Sequence, residues 1–136
     1  MRGNEWVPVA LRRMWKRGAA TPDGEPVHVS MNDYWVHRRR DVPKVIWEGM
    51  RLRRAWPQTE GALGLWFAAY GSWHRQVSVS IWRSPEDLRR FVHSPQHRRV
   101  MRDYRDAGAL VTTAWTAESF DPRLIWREAE DHLARQ

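Results

Sequence analysis

One segment, ALGLWFAAY at positions 62–70, constrains this chain more than any other, because it is apolar whichever way it is turned. As a strand, with side chains alternating between faces, it puts Leu63, Leu65, Phe67 and Ala69 on one side and Ala62, Trp66, Ala68 and Tyr70 on the other. A strand that tolerates water on neither side must lie between two layers. Pro57 and Gly61 precede it and Gly71 follows it, as punctuation. Beyond a turn at 71–75, QVSVSIW alternates more strictly, with Val77, Val79 and Ile81 opposed to Ser78, Ser80 and Trp82. The two runs predict a β-hairpin.

The flanking segments supply the other elements. VHVSMNDYWV at 27–36 sets Val27, Val29 and Met31 against His28, Ser30 and Asn32, a first strand. Asp41 and Pro43 predict a capped helix, whose apolar Ile46, Trp47, Met50 and Ala55 carry it to about Trp56. After the hairpin, Ser84, Pro85 and Asp87 form an N-cap, a first-turn proline and an acidic third position, and Leu88, Phe91 and Val92 form an inner face. Ser94 and Pro95 repeat the device, so the helix is expected to kink or restart there. The restarted part carries His97, Val100, Met101 and Tyr104 on one stripe. LVTTAWTAES at 110–119 reads as the last strand, and Asp121 and Pro122 open a terminal helix with Ile125, Ala129 and Leu133 in register.

The order is strand, helix, strand, strand, helix, strand, then a further helix. That is the α+β, ferredoxin-like split βαβ: an antiparallel four-stranded sheet with both helices on one face, plus an extra C-terminal helix. Residues 27–136 are expected to form this single domain and residues 1–26 a basic, turn-rich N-terminal arm. Two helices cover only one face. The strand at 62–70 therefore calls for a second copy packed on the other, a homodimer.

Composition narrows the chemistry. There is no cysteine, which excludes disulfides, thiolate nucleophiles and Cys-based metal sites. No apolar run approaches the ~20 residues of a membrane span, and the basic start lacks a signal-peptide core, so a cytoplasmic protein with no membrane partner is expected. The net charge of +7 invites nucleic acid, but the basic residues are spread and nearly all arginine, which disfavours a phosphate footprint. QVSVSIW also presents serines where an RNA-recognition strand needs aromatics. Ten tryptophans suit cores, interfaces and pockets for flat ligands. No phosphate-binding glycine loop, nucleophile elbow or nucleotide fingerprint occurs.

His97 is the first candidate for chemistry. Its stripe turns the ring towards the sheet, and the adjacent helix N-terminus favours the neutral imidazole, which accepts a proton or binds a metal. A core histidine satisfied by hydrogen bonds is the plain alternative. His93 stands four residues earlier, but Ser94 and Pro95 break the helix that would align a metal pair. Asn32 and Asp33 are adjacent polar residues in a strand, so one must face the helices or the dimer side; an inward Asp33 is a candidate base, and an edge-strand position facing water is the plain alternative. Trp66, Tyr70, Trp82 and Tyr104, with Phe91, are expected to line a substrate pocket between helices and sheet.

VSVSIWRSPEDLRRFVHSPQHRRVMRDYR at 77–105, preceded by PQTEGALGLWFAAYG at 57–71, resembles the dimeric α/β-barrel superfamily, in particular antibiotic biosynthesis monooxygenase-like and spheroidene monooxygenase-like proteins. The resemblance covers roughly residues 27–120. It implies an oxygenase of secondary metabolism acting on an apolar aromatic or polyketide-like small molecule. Cofactor-free chemistry is the first expectation, with His97 as base and the aromatic lining as a dry cage. Haem is the alternative cofactor, because related haem-binding barrels use a histidine on this second helix, which makes His97 the implied axial ligand. A non-oxidative cyclase or isomerase, or a ligand-binding module without chemistry, fits the same residues.

Overall fold

Alternation builds a five-stranded antiparallel sheet in the computed structural model, which describes residues 14–135. The strands are β1 (Met14–Arg17), β2 (Val27–Val36), β3 (Ala62–Tyr70), β4 (Arg75–Trp82) and β5 (Gly108–Ala117), in the order β1-β3-β4-β2-β5. The last four are the ferredoxin-like sheet read from the sequence. The fifth strand comes from the segment read as an arm: Met14–Arg17 pairs antiparallel with β3, while residues 1–13 of that arm lie outside the described residues. Four α-helices lie among the described residues: α1 (Val42–Ala55), α2 (Pro85–Val92), α3 (Pro95–Tyr104) and α4 (Pro122–Ala134).

Helix starts follow the sequence closely. The Ser84 hydroxyl accepts from the Asp87 amide at 3.2 Å, Ser94 from the His97 amide at 3.3 Å, and the Asp121 carboxylate from the Leu124 amide at 3.2 Å. Each cap satisfies an amide that would otherwise have no helical partner. The helix restart at Ser94 and Pro95 is thus built as expected. Asp41 departs from expectation: a short 3-10 turn, Arg39–Asp41, leads into α1, and the Asp41 side chain makes no capping hydrogen bond.

Register decides which side chains share a face. Val29 pairs with Ile81, Met31 with Val79 and Trp66 with Val79, so Val27, Val29, Met31, Trp66, Ala68, Val77, Val79 and Ile81 lie together. Helix α4 packs Ile125, Trp126 and Ala129 onto them. The face expected to be bare for a partner is therefore partly covered by the chain's own last helix. On the opposite face Leu65 and Trp82 join Trp56, Leu52, Leu88 and Phe91 beneath α1 and α2. A bulge between Ala62 and Gly64 moves Leu63 to the α4 face, away from Leu65, with which simple alternation groups it.

Strand β3 is thereby buried on both sides, from Ala62 to Ala69, within one chain. Two glycines permit the close approach. A Cβ at Gly64 would overlap the Trp15 ring that β1 lays across it, and one at Gly49 would meet the Phe67 ring at 2.8 Å, where α1 crosses the sheet. What stays open is the other edge. In β5 the side chains of residues 109–112 are exposed on both faces, and beside them Trp35 is 46% exposed.

Candidate functional site

Helices α2 and α3 bury no residue completely. The reason lies beneath them. Much of the face that the sheet turns towards this layer is polar, with His28, Ser30, Asn32 and Tyr34 from β2, Ser78 and Ser80 from β4, and Thr112 and Thr116 from β5, although Leu110 and Ala114 of β5 and Leu65 and Phe67 of β3 share it. Serines at alternate positions of β4 offer little apolar surface for a helix to pack on. Helix α3 meets this layer at two points, the Phe91 ring and the Tyr34 hydroxyl.

The polar row is only partly satisfied. Thr112 Oγ1 donates to Asn32 Oδ1 at 2.8 Å and Ser80 Oγ to the Ser30 carbonyl at 3.2 Å. The Asn32 Nδ2 donors and the Ser78 hydroxyl have no partner among the described residues. At one end stands an aromatic wall. Trp56 and Trp82 meet edge to face at 5.1 Å, Trp82 and Phe91 are 5.3 Å apart, and Phe91 meets the His97 ring at 4.7 Å. Both indoles are fully buried, yet neither Nε1–H has an acceptor among the described residues. Each unpaired buried donor costs about 1–3 kcal/mol.

His97 closes this wall. It is half-buried, and burial holds its imidazole below the ordinary histidine range, which keeps it neutral. His28, the cross-strand neighbour of Trp82, is lowered too, first by burial and then by the Arg89 charge. At the far end the Tyr34 hydroxyl donates to the Tyr104 carbonyl at 2.7 Å and ties α3 to the sheet. Burial, with Asp41 nearby, raises the Tyr34 phenol; burial followed by Glu48 raises Tyr104. His28 and Tyr34 are six strand steps apart, so this polar row spans roughly 20 Å.

The structure thus brings Trp82, Phe91 and His97 into one group and sets Tyr104 at the other end of the same layer. It does not bring Trp66, Tyr70 or Asp33 there. Trp66 and Tyr70 lie on the α4 face because Trp66 pairs with Val79, one position out of phase with Trp82. The Trp66 Nε1–H donates to the Pro122 carbonyl at 3.0 Å. Asp33, 1% exposed, faces the same way and is clamped by Arg75, Nε to Oδ1 at 2.9 Å and Nη2 to Oδ2 at 2.8 Å. Its neighbour Asn32 is the one that faces the helices.

Trp56, Ser78, Thr112 and His28 were not singled out from the sequence. The serines carried a signal, since VSVSIW spends alternate strand positions on small hydroxyls. Trp56 carried none: it sits in a 3-10 turn, Trp56–Gln58, after α1, where no periodicity predicts its direction. Among the described residues no group of three His, Asp or Glu side chains could hold a metal ion, and no helix is long and apolar enough to cross a membrane.

No protein-family model matches the chain, and no curated protein matches it. Solved structures do. A ferredoxin-fold protein related to antibiotic biosynthesis monooxygenases, from Listeria monocytogenes, superposes with a TM-score of 0.55 at 14% identity, over 68% of this chain. This chain spans only 57% of that protein's length. The haem-degrading enzyme LmHde of the same organism gives 0.59 at 13% identity, over 79% of this chain and 69% of its own. SnoaB, a cofactor-independent oxygenase from Streptomyces nogalater, gives 0.57 at 14% identity, over 71% of this chain and 97% of its own. At these identities the likeness is one of fold: the chain is built on the ferredoxin-like frame of the antibiotic biosynthesis monooxygenase-related proteins.

Proposed function

We propose that the chain is a cytoplasmic small-molecule oxygenase whose substrate, an apolar aromatic or polyketide-like compound, binds between the helices and the sheet, beside Phe91 and His97. The observation that carries this reading is the neutral, half-buried His97 at the end of an aromatic wall whose two indole donors are unpaired. A hydroxylated ring laid against Phe91 gives its proton to the His97 imidazole. The anion so formed is stabilised by the Trp82 Nε1–H, a buried donor with no acceptor among the described residues, once the ring packing over it opens. It then reacts with dioxygen directly. One oxygen atom stays in the product and the other leaves as water with two substrate hydrogens, so the substrate supplies every electron. SnoaB, on the same frame, is a cofactor-independent oxygenase.

The residues also fit haem. The His97 ring nitrogens make no hydrogen bond among the described residues, and the neutral ring is the form that ligates iron. Bound haem would supply a redox-active iron held by His97, with Phe91 and Trp82 against the macrocycle. The exposed Trp35 and Val111, beside the open edge of β5 that α4 leaves uncovered, support a second copy closing there as a homodimer.

Oxygen consumption with a hydroxylated polycyclic aromatic tests the reading. The expected result is uptake of one O2 per product, lost in His97→Ala. A visible spectrum of the purified protein decides the cofactor, since a Soret band absent from His97→Ala establishes haem. Product formed without oxygen uptake would make the chain a cyclase or isomerase. Binding without any turnover would make it a ligand-binding module.

A further inference from the structure

A second ligand site is suggested at the end of the sheet opposite Trp82. There, a solvent-facing depression of ≈ 490 Å³ is lined by Arg39, Val42, Pro43, Ser72 and Trp73. The eight residues of β4 separate it from the aromatic wall by roughly 25 Å. Its size falls within the ~300–1,000 Å³ of small-molecule pockets.

Its walls combine two kinds of chemistry. Val42 and Pro43 give an apolar side and Trp73 a flat aromatic one, while Arg39 brings a charge. That charge is uncompensated: Arg38, Arg39 and Arg40 are consecutive and exposed, and none has an ion pair among the described residues. Trp73 is placed unusually. It is the one non-glycine among the described residues with a positive φ, +71°, a conformation that glycine takes freely and a bulky aromatic does not. The Trp73 amide donates to the Tyr70 carbonyl at 3.1 Å, and Gln76 Nε2 donates to the Trp73 carbonyl at 3.2 Å, so the backbone is held there. That strained backbone aims the indole into the depression, where glycine would leave a gap.

The geometry points to a site for a small flat organic anion, its ring stacked on Trp73 and Pro43 and its anionic group paired with Arg39 and within the compass of the Ser72 hydroxyl. A carboxylate on a fused ring and the phosphate of a nucleotide share this chemistry. Titration calorimetry with 2-naphthoate and, separately, with AMP distinguishes the two sources.

At least one of these probes is expected to bind saturably, at least about 10-fold more weakly to Arg39→Gln. Neutral 2-methylnaphthalene should not compete, and binding should vanish in Trp73→Gly. Because glycine accepts the positive φ, Trp73→Gly should melt no lower than the parent, which separates lost binding from a lost fold. The proposal is overturned if neither probe binds saturably below about 10 mM, or if both variants bind like the parent. Competition by 2-methylnaphthalene as strong as that by the anion would also overturn it, as would a Trp73→Gly protein that melts below the parent.

Discussion

Replacing Arg75 by Met should be among the most destabilising single changes in the sheet. Asp33 is 1% exposed and accepts both of its hydrogen bonds from Arg75, in the layer that holds Met31, Val77 and Val79. Removing the guanidinium strands a carboxylate in that layer, a change that typically costs about 3–5 kcal/mol. For a domain of this size that corresponds to a fall in Tm of roughly 10–20 °C. The converse change is milder. In Asp33→Leu the Arg75 side chain, 23% exposed, still reaches water and keeps its place over the Trp35 ring at 4.7 Å. The double variant Asp33→Leu/Arg75→Met should regain most of the lost stability, because apolar replacement of a whole buried pair is close to neutral. Urea unfolding followed by tryptophan fluorescence, run as a double-mutant cycle, measures the coupling. Equal losses in the two single variants that simply add in the double, with coupling below about 0.5 kcal/mol, would refute the interdependence argued here. If the double variant folds, it should also consume oxygen at the parent's rate, which separates Asp33 from the chemistry.

Four further outcomes follow from the proposed site and its frame. His97→Ala should lower oxygen-dependent turnover by ~10²–10⁴-fold. Because burial depresses the imidazole in the folded chain, the unfolded chain takes up the proton first as pH falls; stability is therefore full above about 6.5 and declines below it, and His97→Phe should flatten that slope in pH-dependent unfolding. Trp82→Phe removes an unpaired buried donor, so melting should change little while turnover falls by ~10²-fold or more if that N–H meets the substrate anion; unchanged turnover would remove Trp82 from the oxyanion role. Gly64→Ala should displace the Trp15 ring and cost about 1–3 kcal/mol by thermal unfolding, because a Cβ there overlaps the indole.

How much of this was legible depended on whether a residue's direction is set locally. Caps were legible, since Ser84, Ser94 and Asp121 act on amides three residues away. So was the alternation of β2 and β4. Cross-strand phase was not. Trp66 and Trp82 each lie on a correctly read strand, but which of them faces the helices depends on a register that the turn at 71–74 and the bulge at 62–64 set jointly. Asp33 shows the same limit: its burial could be inferred, its partner Arg75 lies 42 positions away, and only the antiparallel pairing of β2 with β4 brings them together. The need for a second layer over β3 was read correctly, but α4 and Trp15 supply part of that layer, which composition alone cannot distinguish from a second copy.

The shallow seating of α2 and α3 has a consequence for traffic. Anchored by their caps, by Leu88 and Phe91 at one end and by the Tyr34 hydroxyl at the other, they contribute little to global stability and should open at a free energy well below that of whole-chain unfolding. A bulky guest then needs no permanent doorway. These two helices should open first, so that amide exchange along residues 85–104 runs ahead of exchange in β3 and β4.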